Sequence, residues 1–197
     1  MAITSTQQGV ITEAEFAKVV ILTTDGALVP ARPVADDDRR DYEIHIRRHF
    51  LESLAMQLKT ARRLRLHGRS RVLQINFRVK APLVSDDRFW YFLAYFDTKK
   101  MRFMDPVFLV PSRFFHKHAL HGVGRGAIQP QFKASMEPEA HDMWSPFRVT
   151  QQELGRRILE ILESQPHGRH TTDLLGMSGV VWLGKPAARR LKRPRAA

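Results

Sequence analysis

The spacing of apolar residues changes period several times along the chain. From Ile11 to Leu22 they recur at helical spacing, with Phe16, Val19, Val20 and Leu22 on one stripe. Thr12 stands where an N-cap would, Glu15 follows at the capping-box position, and Asp25-Gly26 marks the stop. Residues 27–30 predict a short strand, broken by Pro30 and Pro33, and the polar run 36–41 reads as a turn.

Period two takes over at Tyr42. Tyr42, Ile44 and Ile46 share one face, and Asp41, Glu43, His45 and Arg47 the other. Residues 53–60 alternate again, with Leu54, Met56 and Leu58 opposed to Ala55, Gln57 and Lys59. The two runs predict a hairpin connected through residues 49–52. Further strands are predicted over 71–79, 88–96 and 104–110. The middle one is nearly continuous in aromatic and aliphatic residues, as a central strand buried on both faces would be. Trp90, Tyr91, Phe92, Tyr95 and Phe96 therefore read as core and not as a base-stacking platform. A helix is predicted from Pro111 to His118, with Ser112 as cap. Residues 121–147, interrupted by Gly and Pro, read as a loop. Thr150 and Glu153 have capping-box spacing and open an amphipathic helix over 154–163, with Leu154, Ile158, Ile161 and Leu162 inward. Beyond Thr171 the pattern fades into a tail.

Composition narrows the chemistry. The 197 residues contain no cysteine, which excludes disulfides, Cys-ligated zinc, iron–sulfur clusters and cysteine nucleophiles. No apolar run is long enough for a transmembrane helix, and the first residues lack the basic and apolar regions of a signal peptide, so a cytoplasmic location is expected. The net charge is +12, and it is concentrated. Six bases and no acid lie between Lys185 and Ala197, and eight bases and no acid between Lys59 and Lys80. Such a field attracts polyanions. Arg62, Arg63, Arg65, Arg69 and Arg71, with Arg189, Arg190, Lys192, Arg193 and Arg195 in the tail, are candidate phosphate contacts. The histidines His116, His118, His141, His167 and His170 show no zinc-ligand spacing.

The hairpin brings candidate chemistry together. Period two puts Gln57 and Lys59 side by side, and antiparallel pairing sets the start of the first strand near the end of the second. Asp41 and Lys59 then become neighbours, and a helix across that edge could add Glu15. Phosphodiester hydrolysis needs hard divalent cations in oxygen ligands. Asp41 would be the main carboxylate, Glu15 the second, Gln57 a neutral amide oxygen, and the Leu58 carbonyl a further ligand. Lys59 would orient the attacking water and stabilise developing negative charge. Asp38 competes with Asp41 for the first role and Glu13 with Glu15 for the second. Glu43 and His45 share the face of Asp41.

The order Glu15, Asp41-Tyr-Glu-Ile-His-Ile, Ala55-Met-Gln57-Leu-Lys59-Thr60 resembles the PD-(D/E)XK restriction-endonuclease-like superfamily, in the branch where glutamine replaces the second acid. The resemblance spans residues 10 to 120, with Arg40-Asp41 in place of the usual Pro-Asp. It implies an α/β fold: a restriction-endonuclease-like core with a central mixed β-sheet flanked by helices. A C-terminal helical extension and a basic tail would follow. The corresponding divisions are 1–120, an irregular connection 121–147, the extension 148–184 and the tail 185–197. It also implies Mg²⁺-dependent DNA cleavage, with Mn²⁺ as substitute. DNA is the expected partner, no membrane is involved, and a homodimer or larger complex is compatible. The other reading is a nuclease fold kept as a non-catalytic nucleic-acid-binding or assembly subunit.

Overall fold

The computed structural model describes residues 3–34, 40–49, 53–68, 70–80, 83–124 and 127–164, within a compact unit spanning Met1–Gln165. The helices are α1 (Ser5–Leu22), α2 (Ser112–His118) and α3 (Gln151–Ser164). The strands are β1 (Leu28–Ala31), β2 (Tyr42–Ile46), β3 (Ser53–Ala61), β4 (Arg65–His67), β5 (Ser70–Asn76), β6 (Val79–Lys80), β7 (Phe89–Asp97), β8 (Arg102–Pro111), β9 (Leu120–Gly124), β10 (Ala127–Ser135) and β11 (Arg148–Val149).

A mixed sheet forms the middle layer, in the order β1-β2-β3-β7-β8-β11. The β3–β7 pair is parallel and every other pair in this sheet is antiparallel. Parallel neighbours need a crossover. Here the segment between β3 and β7 is not a helix: it supplies β4, β5 and β6 of a second sheet, ordered β4-β5-β10-β6, with β9 also on β10.

Alternation distributes the core. Leu54, Met56 and Leu58 of β3, with Phe92, Ala94 and Phe96 of β7, pack with Phe16 of α1 and Ile158 of α3. Tyr91 and Leu93 of β7 turn the other way, onto Phe115 of α2, Leu73 and Ile75 of β5, and Phe132 of β10. The nearly continuous apolar run of β7 thus serves two cores, as its pattern predicts. Phe16 lies 4.8 Å from Phe92 and 5.6 Å from Tyr42, ring centroid to ring centroid, which fixes α1 over β2 and β7.

Several boundaries differ from the sequence expectation. Helix α1 starts earlier, because Thr4 and Gln7 already form a reciprocal capping box. Thr12 is mid-helix and buried, with its hydroxyl donating to the Gln8 carbonyl 2.9 Å away. Ser112 does not cap α2. It is fully buried, and its hydroxyl accepts from the Asp86 amide at 3.0 Å and donates to the Asp86 carbonyl at 2.8 Å. Residues 121–147 are not a plain loop: they hold most of β9, all of β10 and a short 3-10 turn, Ser145–Phe147. Phe132 and Ala134 alternate into the core there, and Pro130 is tolerated because it falls between the segments of β10 that pair with β5 and with β6. At 150–153 the capping box expected from sequence is present, with the Glu153 amide donating to Thr150 Oγ1 at 3.2 Å and the Thr150 amide to Glu153 Oε2 at 3.4 Å.

The helices α1 and α3 meet at Gly155. A Cβ built there would overlap Thr23 Oγ1 and Thr24 Cγ2, so only glycine allows this approach. We expect Gly155→Ala to cost about 1–3 kcal/mol through overpacking. Urea unfolding followed by circular dichroism should show the lowered midpoint; an unchanged midpoint would mean that the helices separate freely.

Candidate active site

Strand β2 stops at Tyr42, opposite Met56 of β3, and Asp41 continues its line one position further. The Asp41 amide donates to the Met56 carbonyl at 2.9 Å. Its carboxylate then takes over from the backbone: Oδ2 accepts the Leu58 amide at 2.6 Å. The side chain thereby closes a ladder position that β2 no longer reaches. In an antiparallel ladder the amide and carbonyl of one residue face the same neighbour, so the Leu58 carbonyl faces the edge that Asp41 occupies.

Gln57 and Lys59 lie on the opposite face of β3 from Leu58. Gln57 is only 5% exposed and pairs across the parallel ladder with Tyr91, while Lys59 pairs with Leu93. The ammonium of Lys59 sits 5.5 Å from the centroid of the Phe77 ring. Asp41 thus meets β3 at Leu58, between Gln57 and Lys59, where β2 ends in the interior of the central sheet. Among the described residues Lys59 is in no ion pair; its charge is held by an aromatic face.

Helix α1 is tied to the end of the same strand. Gln8 Nε2 donates to the Thr60 carbonyl at 3.2 Å and to Thr60 Oγ1 at 3.0 Å, and the Thr60 hydroxyl reaches Thr12 Oγ1 at 3.4 Å. The two acids of α1 go different ways. Glu13 and Glu15 are two residues apart, about 200° around the helix axis. The Glu13 carbonyl accepts the Tyr42 hydroxyl at 3.0 Å, and its carboxylate pairs with Arg32 at 2.9 Å. Arg32 Nε also donates to the Tyr42 hydroxyl at 3.2 Å. That hydrogen bond, then the attraction of Tyr42, Glu13 and Asp41, raises the Arg32 guanidinium above its ordinary value against a smaller burial effect. Glu13 is thus the helical acid on the Tyr42–Arg32 side. Glu15 is partly buried and ion-paired with Lys18 on its own helix.

The face that carries Gln57 and Lys59 also holds a chain of polar groups that sequence patterning did not single out. Tyr91 hydroxyl lies 2.9 Å from His116 Nε2, and Ser85 Oγ lies 2.6 Å from His116 Nδ1. Burial, and secondarily the nearby His121, lowers the His116 pKa to about 4. The imidazole is neutral at physiological pH and joins an exposed serine to a buried tyrosine.

The candidate phosphate contacts divide. Arg62 donates to the Ile3 carbonyl at 2.9 Å and Arg71 pairs with Glu137 at 3.4 Å. Arg63 and Arg65 are exposed. Arg69, Arg189, Arg190, Lys192, Arg193 and Arg195 lie outside the described residues. So does Asp38.

Among the described residues no group of three or more His, Asp or Glu side chains is placed to hold a metal ion. One carboxylate, one amide oxygen and one strand carbonyl do fit Mg²⁺, which commonly keeps several waters and takes further oxygens from substrate phosphates. Asp41, Gln57 and Leu58 would hold it; Glu15, paired elsewhere, is not brought to them by any contact seen here. Among the described residues, no helix is long and apolar enough to cross a membrane. No protein-family description matches this chain, and no curated protein or solved structure gives a significant match.

The state of His116 yields a pH expectation. Its folded pKa lies below the ordinary 6.5, so above that pH both folded and unfolded forms are neutral and stability is unaffected. Between pH 6.5 and about 4 the unfolded chain binds more protons, and stability falls with pH. The urea midpoint should therefore drop over this window, and by less in His116→Gln. Parallel curves for the two proteins would contradict the buried neutral imidazole.

Proposed function

We propose that the chain is a divalent-metal-dependent endonuclease hydrolysing DNA phosphodiester bonds. The observation that supports this most is the position of Asp41, whose carboxylate is fastened to β3 at Leu58 beside Gln57 and Lys59. The strong positive charge of the chain and the resemblance of the Asp41…Gln57-Leu58-Lys59 pattern to PD-(D/E)XK nucleases point the same way.

In this reading Asp41 gives its remaining carboxylate capacity to Mg²⁺, with the Gln57 amide oxygen and the Leu58 carbonyl as further ligands. The cation supplies charge neutralisation at the scissile phosphate and an acidified water. Lys59, whose ammonium lies over the Phe77 ring on a flexible four-carbon stem, serves the phosphate. There it offsets the negative charge that grows in the transition state. Arg32, ion-paired with Glu13, adds a positive charge that also acts on Asp41.

The second reading, a nuclease fold that binds nucleic acid without cutting it, is favoured by one observation. Lys59 rests over an aromatic ring and no carboxylate among the described residues pairs with it. The two readings separate in one assay. Plasmid DNA is incubated with Mg²⁺ or with EDTA, using the native chain, Asp41→Ala and Lys59→Ala. The nuclease reading expects cleavage with Mg²⁺ only, reduced at least about 100-fold in each variant, the size typical of losing one transition-state electrostatic group. Equal cleavage by all three proteins would reject the assigned site, and binding without cleavage under any divalent cation would select the second reading.

A further inference from the structure

The second sheet has a composition unlike the first. None of β4, β5, β6, β9 and β10 contains Asp or Glu, whereas β2, β7 and β8 each contain one or more. Its inner face is the apolar side made by Leu73, Ile75, Phe132 and Ala134. Period two then fixes the outer face: Arg65 on β4, Gln74 and Asn76 on β5, Gln131 and Lys133 on β10. Arg65, Asn76 and Lys133 are exposed, and among the described residues neither Arg65 nor Lys133 is in an ion pair. Gln74 Nε2 donates to Asn76 Oδ1 at 3.5 Å, so the amides form a row along β5.

The register sets the spacing of this face. Val72 and Gln74 lie two apart on β5; Arg65 is opposite Val72, and Lys133 is opposite Gln74. Two strand spacings and a two-residue offset put Arg65 and Lys133 about 12 Å apart, with Val72 and Gln74 of β5 between them and Asn76 one step further along the same face. The major groove of B-form DNA is about 12 Å wide and admits a two-stranded ribbon; its base edges pair with amide side chains, and its rims are phosphates. All three residues of β4 are exposed, including Leu66, so β4 forms the open margin of the sheet while β5 beside it is anchored in the core by Leu73 and Ile75. Residues 62–64 lead into the β4–β5 hairpin directly from β3, and β5 packs into the same core as β7, so a duplex held by it would be held in fixed relation to the Gln57–Lys59 strand.

We propose that the outer face of the second sheet is a duplex-DNA-binding surface. In it the β4–β5 hairpin enters the major groove, Arg65 and Lys133 contact phosphates on its two rims, and Gln74 and Asn76 face the base edges. This rests on the nucleic-acid part of the reading above and adds the surface and the form of the substrate. A-form RNA has a major groove too deep and narrow for such a ribbon, so double-stranded RNA is not the ligand.

The test uses the full chain in EDTA, where nothing is cut, and fluorescence anisotropy of labelled duplex DNA between about 50 and 200 mM salt. The Arg65→Ala/Lys133→Ala variant should bind about ten-fold or more weakly at low salt. The slope of log affinity against log salt should fall by about 2, for two phosphate contacts. Gln74→Ala/Asn76→Ala should leave that slope intact and flatten any preference among duplex sequences. Unchanged affinity and slope in the Arg65/Lys133 variant would overturn the surface, as would equal or tighter binding of double-stranded RNA. Asp41→Ala separates the two readings. If it binds DNA in EDTA like the native chain, the surface stands whether or not cleavage is ever observed.

Discussion

Strand β3 is constrained on every side, and the candidate site is what that constraint leaves over. Its edges are taken by β2 and β7, its helix-facing side chains by the packing of Leu54, Met56 and Leu58 under α1, and its other side by the second sheet. With the strand unable to slip by one residue without reversing both faces, Gln57 and Lys59 are committed to the interior side opposite α1 and α3. The polar residues are thus placed by apolar ones. The carboxylate of Asp41 completes the same arrangement by accepting the Leu58 amide where β2 ends.

This geometry explains why a glutamine can sit so deep, with a half-buried lysine two residues on. Gln57 is almost fully buried, but it is neutral and adjoins the polar chain Tyr91–His116–Ser85 across the parallel ladder. The Lys59 ammonium lies against the π face of Phe77, a residue supplied by the connection after β5. The crossover between β3 and β7 is therefore more than a link. By being a sheet and not a helix, it roofs the Gln57–Lys59 face with an aromatic side chain and turns outward strands that carry no acid.

The electrostatic organisation is asymmetric for the same reason. Carboxylates gather on the helix side and edge of the central sheet, where Glu13 and Arg32 balance one another near Asp41. Bases dominate the second sheet, whose strands carry no acid.

Much of this was legible in the sequence because it rests on local periodicity. The alternation of 42–46 and 53–60, the apolar density of 88–96 and the capping box at 150–153 are read from neighbours two to four residues apart, and the structure has each as expected. Residues 121–147 were not legible, because Gly122, Gly124 and Pro130 mask a strand whose inward Phe132 and Ala134 are recognised only once β5 lies beside them. The first helix was mis-started because Thr4–Gln7 and Thr12–Glu15 carry the same local signal, and burial of Thr12 against Thr60 decided between them. For the site, sequence alone determined that Gln57 and Lys59 share a face, since that follows from the strand period. That Asp41 binds the Leu58 amide, that Glu13 and not Glu15 turns toward Arg32, and that Lys59 lies on Phe77 are contacts between segments far apart in the chain. Only the packing of helix, sheet and second sheet could decide them, because no local propensity distinguishes one distant partner from another.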